Sequence, residues 1–222
     1  MSAAHYRVFS PSLREGEREG VGSSVLIGAF EPMTLAMGPG PRACIWVRGC
    51  PMRCKGCITS EFISRGRPKH ARAISEICVW LDRAIAERGV TGISFSGGEP
   101  FAQAEALTPV ACHAHSRGLS TLSWSGFTRR HLEGPRAPVG ARAFLAALDV
   151  LIDGPFIQRR VNRDPLRGSS NQFIHLLTDR HRPEEFKDSI VEVRIGASGR
   201  TVTTGVMDYA ATNAALALLG IR

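Results

Sequence analysis

Residues 44–57 have the sequence CIWVRGCPMRCKGC, and this stretch decides how the rest of the chain is interpreted. Its first part, Cys44–Val47, is a short apolar run typical of a buried strand. Its second part places Cys50, Cys54 and Cys57 within eight residues, directly after that strand. In α/β folds the carboxyl ends of strands carry the binding sites. The stretch therefore predicts a site on the loop that follows the strand.

The residues that follow this stretch alternate between helix and strand patterns. Apolar residues recur at helical spacing from Ile74 to Ile85, and Gly89 supplies a helix stop. The further predicted elements are a strand over 90–96, a helix over 102–117 with a kink at Pro109 and a stop at Gly118, a strand over 119–123, a helix over 141–148 and a strand over 149–153. Such alternation implies an α/β fold with a parallel sheet. Because the repeats are few, we expect a partial (open) parallel β/α barrel rather than a closed eight-stranded one.

The two ends of the chain differ from this repeat. Residues 10–24 are polar and contain glycine, which predicts a flexible arm or a hairpin-like loop, and we assign residues 1–24 to a flexible N-terminal arm. Residues 25–178 would form the barrel domain, and residues 179–222 a C-terminal extension. Within the extension, the alternating pattern of residues 190–205 predicts a β-hairpin, and the alanine-rich residues 207–219 predict a helix.

Composition limits the possible classes of protein. A chain of 222 residues that is 43% apolar is long enough for one domain with small additions. The net charge of +8 suits an anionic partner, but the charges are scattered without interleaved aromatic residues, so nucleic-acid binding is not favoured. The sequence contains no signal-peptide pattern and no apolar run as long as a membrane span. We therefore expect a cytoplasmic chain, in which the six cysteines stay reduced.

Three clustered thiols indicate a metal centre, because soft thiolates select iron–sulfur clusters or zinc. A structural zinc site normally has a fourth Cys or His ligand, and no pair at zinc-finger spacing follows the cluster. Three thiolates on a cluster of four irons instead leave one iron open to a substrate. A zinc site completed by a distant histidine or by Cys44, Cys78 or Cys112 stays open as an alternative, although Cys78 and Cys112 fall on predicted helices, where packing is the commoner role.

The C-x3-C-x2-C spacing, together with Gly97-Gly98-Glu99-Pro100 at the end of the next predicted strand, resembles the radical SAM superfamily. The resemblance implies a partial barrel of the radical SAM type. It also implies a [4Fe-4S] cluster on Cys50, Cys54 and Cys57, which cleaves S-adenosylmethionine (SAM) reductively to a 5'-deoxyadenosyl radical. The Gly97–Pro100 motif would contact the ammonium group of SAM. No catalytic side chain is needed beyond the cluster itself.

Five motifs in order resemble one subfamily, the activating proteins of anaerobic ribonucleotide reductase, which install a glycyl radical on a large subunit. They are GPGPR at 38–42, ISFSGGEP at 93–100, LSWSGF at 122–127, DVLIDGPF at 149–156 and RGSSNQ at 167–172. This resemblance implies that the partner is the large subunit of a glycyl radical enzyme. It also implies a flavodoxin- or ferredoxin-like reductant and an oxidoreductase of the glycyl radical activating type.

The resemblance also implies roles for individual residues. Ser123, Trp124 and Ser125 would lie near the ribose or carboxylate of SAM. Asp153 would face the site from a strand end, although a turn-forming role before Gly154-Pro155 is equally consistent with the sequence. The polar residues Arg167, Ser169, Asn171 and Gln172 would either shape the site or form a polar loop.

The chain departs from the superfamily in one respect at the cluster. Many members have an aromatic residue beside the last cysteine, whereas here Gly56 precedes Cys57 and Ile58 follows it. Contact with adenine would then come from backbone or from Ile58. Two other hypotheses stay open. One is a radical SAM enzyme that acts directly on a small molecule or peptide, and the other is a non-enzymatic zinc-binding module that binds nucleic acid.

Overall fold

The computed structural model describes residues 24–162, 164–188, 190–195 and 201–206, and Ala217. The helices are α1 (Ile74–Arg88), α2 (Ala104–Ser116), α3 (Arg129–Glu133) and α4 (Ala141–Ala146). The strands are β1 (Ser24–Thr34), β2 (Arg42–Val47), β3 (Ala71–Ala73), β4 (Gly92–Gly97), β5 (Ser120–Trp124), β6 (Val150–Asp153), β7 (Phe173–Leu176), β8 (Glu192–Ile195) and β9 (Thr201–Thr204). None of the helices in these ranges is both long and apolar enough to span a membrane.

The central sheet has seven strands in the order β3-β1-β2-β4-β5-β6-β7. The four middle strands run parallel, as predicted, while β1, β3 and β7 pair antiparallel at the two sides. The fold is thus mixed α/β with a mostly parallel centre, and in the described part of the chain its sheet is open. Val47 pairs with Gly97, and Trp124 with Ile152, so the carboxyl ends of the parallel strands meet at one edge.

The helices pack on one face of the sheet and enclose the main core. Leu81 of α1, Leu107 of α2 and Phe144 of α4 are fully buried against the sheet residues Ile93 and Phe95. The Phe144 ring meets the Phe95 ring edge-on, with 5.3 Å between the ring centroids, an arrangement that aromatic pairs prefer. This core lies below the edge where the parallel strands end.

Helix boundaries follow local chemistry. Helix α1 ends at Gly89, whose left-handed conformation (φ 63°) matches the predicted stop. Helix α2 begins two residues later than predicted, because a short 3-10 helix, Pro100–Gln103, precedes it, and it continues through Pro109. Cys44 is fully buried in β2, and Cys78 is half-buried on α1. Cys112 is exposed on α2, so its predicted packing role is wrong.

The structure contains the two strands of the predicted C-terminal hairpin. β8 and β9 pair antiparallel, with Glu192 opposite Thr204 and Ile195 opposite Thr201. The residues that connect the strands lie outside the described ranges. So do the predicted arm, apart from Ser24, and the predicted helix over 207–219, apart from Ala217.

Candidate metal centre

The cysteine loop begins directly after β2 and is held by backbone hydrogen bonds. The Gly49 N–H donates to the Phe62 carbonyl at 2.8 Å, and the Cys50 N–H donates to the Ile63 carbonyl at 2.9 Å. Within the loop, the Cys57 N–H donates to the Cys54 carbonyl at 3.2 Å. The returning segment therefore fixes the start of the loop, and an internal turn brings its last two cysteines together.

All three loop cysteines line one cavity of about 150 Å³. Its other walls come mainly from the carboxyl ends of β4 and β5, including Gly97, Gly98, Glu99, Trp124 and Ser125. Burial raises the pKa of the Cys50 and Cys54 thiols above the ordinary value. Since metals bind thiolates, a cation in this cavity would offset the energy of holding these thiols deprotonated.

The donor set fits a multi-iron cluster better than a single zinc ion. No group of three Cys, His, Asp or Glu side chains within the described ranges converges closely enough to hold one metal ion. A [4Fe-4S] cluster gives each thiolate its own iron, which suits three cysteines that line one cavity. Among the described residues that line the cavity, the three cysteines are accompanied by no further Cys and no His. A closed zinc site would need such a fourth ligand.

Gly97 and Gly98 let the end of β4 pack against the root of the cysteine loop. A Cβ on Gly98 would lie 2.5 Å from the Gly49 carbonyl oxygen, and one on Gly97 would lie 2.6 Å from the Val47 backbone. The Glu99 N–H also donates to the Gly49 carbonyl at 2.8 Å. The sequence suggested that these glycines admit a ligand. In the structure, the space freed by their missing side chains is filled by the chain's own backbone.

Glu99 is a buried carboxylate at the wall of the cavity. It accepts hydrogen bonds from the Phe101 N–H at 3.0 Å, the Ser125 hydroxyl at 2.9 Å and the Gly126 N–H at 2.7 Å. Burial raises its pKa to about 7, although these hydrogen bonds oppose the shift. Glu99 can therefore present a negative charge to a cationic ligand at and above neutral pH.

Of the predicted SAM-binding residues at the end of β5, the structure places two in the cavity lining and one outside it. Trp124 and Ser125 line the cavity, and the Trp124 indole N–H donates to the Leu166 carbonyl at 2.8 Å. Ser123 is fully buried away from the cavity, and its hydroxyl donates to the Trp124 carbonyl. Pro100 is likewise buried outside the cavity lining and begins the 3-10 helix that precedes α2.

Asp153 lies beside the cysteine cavity rather than in it. It lines a neighbouring groove of about 490 Å³, and the two spaces share Gly154 as a wall. One carboxylate oxygen of Asp153 accepts from the Arg129 N–H at 2.5 Å. The other lies 3.0 Å from His175 Nε2, within ion-pair distance but without hydrogen-bond alignment. Asp153 thus anchors the start of α3.

The RGSSNQ motif mainly holds the loop that forms the far wall. The Gln172 side chain donates to the Gly154 carbonyl at 2.9 Å and accepts from the Gly168 N–H at 2.8 Å. The Asn171 amide donates to the Pro155 carbonyl at 2.8 Å, and the Ser169 hydroxyl accepts from the Ile157 N–H at 3.1 Å. Of the four polar residues singled out from this motif, Gln172 lines the cavity. Arg167 pairs with Asp164.

Several lining residues were not predicted as site residues. Phe156 lies in the quoted DVLIDGPF motif and adds an aromatic wall to the cavity, which Ile58 also lines as predicted from its place after Cys57. Thr59 donates to the Gly97 carbonyl at 2.7 Å, which ties the end of the cysteine loop to β4. Val206 comes from the C-terminal extension, and no sequence pattern pointed to it.

Comparison with known proteins identifies the relatives of this chain. Residues 36–175 match the protein family described as "4Fe-4S single cluster domain". The chain is 32% identical over 159 residues to the anaerobic ribonucleoside-triphosphate reductase-activating protein of Vibrio cholerae, covering 67% of this chain and 96% of the relative. The proteins of the same name from Salmonella typhimurium and Escherichia coli K12 are 30% and 29% identical over 157 residues, with the same coverage.

Proposed function

Because the chain belongs to the family of anaerobic ribonucleoside-triphosphate reductase-activating proteins and carries a 4Fe-4S single cluster domain, we propose that it is a radical SAM enzyme that activates a glycyl radical enzyme. The observation that carries this proposal is that Cys50, Cys54, Cys57 and the Gly97–Glu99 segment line one cavity. The four parallel strands and their helices would then be the core of a partial barrel of the radical SAM type.

A [4Fe-4S] cluster held by the three cysteines would supply the electron that cleaves SAM to methionine and a 5'-deoxyadenosyl radical. The protein residues bind and orient SAM. The Glu99 carboxylate would attract the ammonium group, while Ser125 and the Gly126 N–H fix the direction of the carboxylate. Because Glu99 is buried, its attraction to a cation is stronger than it would be in water.

The apolar lining of the cavity would hold the adenosyl part of SAM and exclude water. Trp124, Phe156 and Ile58 supply this surface. Phe156 offers an aromatic face for adenine. It would replace the aromatic residue that many superfamily members have beside the last cysteine and that this chain lacks. Asp153 and Ser123 would act indirectly, because they position α3 and the end of β5 rather than line the cavity.

The proposed partner is the large subunit of a glycyl radical enzyme, whose backbone glycine would lose a hydrogen atom to the adenosyl radical. The proposed electron source is a flavodoxin- or ferredoxin-like reductant. The net charge of +8 favours association with an acidic carrier of this kind.

The test is anaerobic incubation of the reduced, cluster-loaded protein with SAM, with and without a candidate glycyl radical subunit. A glycyl doublet in paramagnetic resonance that requires the subunit, together with 5'-deoxyadenosine, is the expected result. 5'-Deoxyadenosine without any doublet would instead favour the enzyme that acts on a small molecule or peptide. Zinc without iron or sulfide after anaerobic purification would refute the proposal.

A matched pair of cysteine variants tests the cluster ligands. Cys54→Ala is expected to lose most of its iron and all SAM cleavage, because a thiolate is removed from the cavity. Cys112→Ala removes an exposed thiol from α2 and is expected to keep wild-type iron content. Equal iron content in the two variants would contradict the ligand assignment.

A further inference from the structure

The C-terminal hairpin, β8 and β9, lies beyond the residues that match the cluster-domain family, which end at 175. It is nevertheless fastened to the cluster domain by two side chains. The Glu192 carboxylate accepts from the Thr34 hydroxyl at 2.6 Å and from the Leu35 N–H at 2.8 Å. Arg194 donates to the Glu31 carboxylate and to the Met33 carbonyl. We call Glu192 and Arg194 the clasp.

The clasp has the geometry of a specific attachment. Glu192 and Arg194 are two residues apart on β8, so their side chains leave the strand on the same face, toward the end of β1. Thr34, whose hydroxyl donates to the Glu192 carboxylate, is fully buried. Burial alone would lower the pKa of Arg194, but hydrogen bonding with Glu31 and the nearby charges of Glu31 and Glu192 raise it above its ordinary value.

The end of β9 carries the chain from the clasp to the cysteine cavity. Thr204 is buried, and Gly205 follows it with a φ of 131°, which side-chain-bearing residues rarely adopt. A Cβ on Gly205 would lie 2.6 Å from the Ile190 carbonyl oxygen and 3.4 Å from the Ala36 side chain. This close turn places Val206 in the lining of the cavity that contains the three cysteines.

We infer that the C-terminal hairpin is a wall of the cysteine cavity, and that Val206 is a specificity-determining residue that limits which molecules reach the thiols and the bound ligand. An apolar side chain at this position excludes water and polar reagents from the open side of the site. The inference rests on the proposed function only in taking the bound ligand to be SAM. Access of reagents to the thiols depends on the chain alone and can be measured without SAM.

Thiol alkylation of the metal-free full-length protein tests the wall without any enzymatic reaction. Iodoacetamide labelling is followed residue by residue with mass spectrometry in the wild type and in Glu192→Ala/Arg194→Ala. Releasing the clasp is expected to speed labelling of Cys50, Cys54 and Cys57 by about fivefold, in line with the small energies of partly exposed ion pairs. The exposed Cys112 serves as an internal reference and should be labelled at the same rate in both proteins.

The matched control is Ile195→Ser, on the same hairpin. Ile195 is 60% exposed and leaves β8 on the face opposite the clasp, so its labelling pattern should equal that of the wild type. Unchanged labelling of the three loop cysteines in the clasp variant, with circular dichroism equal to that of the wild type, would overturn the inference. Equally fast labelling in Ile195→Ser and in the clasp variant would also overturn the inference, since the exposure would then come from a general loosening of the fold and not from release of the wall.

A second measurement addresses the ligand. Val206→Asp puts a negative charge into the apolar wall, and the SAM affinity of the cluster-loaded variant in anaerobic equilibrium dialysis should change at least about fivefold from that of the wild type. An unchanged affinity would remove Val206 from the SAM site. Failure of the proposed function and failure of this inference give different results. Absence of SAM binding by the wild type as well as by the variants would contradict the proposed function. Equal thiol labelling in the wild type and the clasp variant would contradict the wall.

Discussion

At the scale of single residues, the raised pKa of Glu99 makes the stability of the protein depend on pH. Its folded-state pKa of about 7 lies above the ordinary value of 4.5. The folded chain therefore binds this proton more tightly than the unfolded chain does. The resulting stability is fully present below pH 4.5 and is lost as the pH rises through about 7.

Replacing Glu99 with Gln removes this titration. The melting temperature of metal-free wild type is expected to fall relative to that of Glu99→Gln between pH 5 and pH 8, measured by scanning calorimetry at constant ionic strength. Parallel pH curves for the two proteins would show that the Glu99 carboxyl group titrates at its ordinary pKa.

Under the proposed function, the same substitution should weaken SAM binding, because a neutral amide replaces the buried carboxylate. At pH 8 we expect about a tenfold loss of affinity in anaerobic equilibrium dialysis, the size of a charged hydrogen bond. The wild-type affinity should rise as the pH increases through about 7, whereas that of the variant should stay level. A variant that keeps the wild-type pH profile would exclude Glu99 from ammonium binding.

Arg42 is the largest fully buried polar side chain among the described residues, and it makes its hydrogen bonds there to hydroxyl and carbonyl oxygens. It donates to the Ser94 and Ser120 hydroxyls at 2.7 Å each and to the Ile93 carbonyl at 2.8 Å. Burial lowers its pKa to about 10. The guanidinium thus ties β2 to β4 and β5 below the site.

Arg42→Lys should lower the free energy of unfolding by about 2–4 kcal/mol, because one ammonium cannot reach the acceptors that the guanidinium fork satisfies. Urea unfolding followed by circular dichroism measures the change. Arg88→Lys, at the exposed end of α1, is the control and should change stability by less than about 0.5 kcal/mol. Equal stability of both variants would refute the anchoring role of Arg42.

At the scale of elements, the contact between β4 and the cysteine loop is tight enough to test. Gly98→Val would push its side chain against the Gly49 backbone, only 2.5 Å from the Cβ position. We expect the cysteine loop to shift and the iron content after reconstitution to fall by more than half, as measured by iron and sulfide quantitation. The control Gly118→Ala introduces backbone strain at a φ of 76°, but its Cβ would meet nothing within 4 Å, so it should retain its iron. Full iron content in Gly98→Val would contradict this packing role.

The elements that the sequence predicted share a clear local signal. The spacing of apolar residues and the glycine stop define α1, and compact apolar runs define β2, β4, β5 and β6. The strands β1, β3 and β7 were not predicted, because their pairing at the sides of the sheet depends on distant partners. β7 also begins with the exposed Phe173, which disguises the usual pattern of a buried strand.

At the scale of the whole molecule, the main core is separate from the candidate metal centre. The core consists of residues from all four helices and the sheet residues beneath them, and none of the three loop cysteines belongs to it. Removal of the cluster by an anaerobic chelator should therefore leave far-ultraviolet circular dichroism and cooperative urea unfolding in place. Loss of cooperative unfolding would indicate a structural metal, as in small zinc domains that are unfolded without their ion.

The parts of the candidate site that could be predicted from the sequence are those on the loops that directly follow the predicted parallel strands. The cysteines follow β2 on one loop and Glu99 lies just after β4, so the parallel order of these strands brings them together. The position of Asp153 could not be predicted, because its hydrogen bond to the start of α3 turns it into the neighbouring groove. The position of Val206 could not be predicted either, because it depends on a hairpin whose Glu192 binds Thr34 and Leu35, about 160 residues earlier in the sequence.

The close packing of Gly98 on Gly49, together with the hydrogen bond from the Glu99 N–H to the Gly49 carbonyl, makes the cysteine loop and the Gly97–Glu99 segment a single mechanical unit. A transplant of the cysteine loop into another α/β scaffold would therefore have to carry both strand ends together. The eight residues from Cys50 to Cys57 alone would lack the surface against which their loop is shaped. In protein design terms, the smallest portable module of this site is the β2–β4 pair with both of its loops.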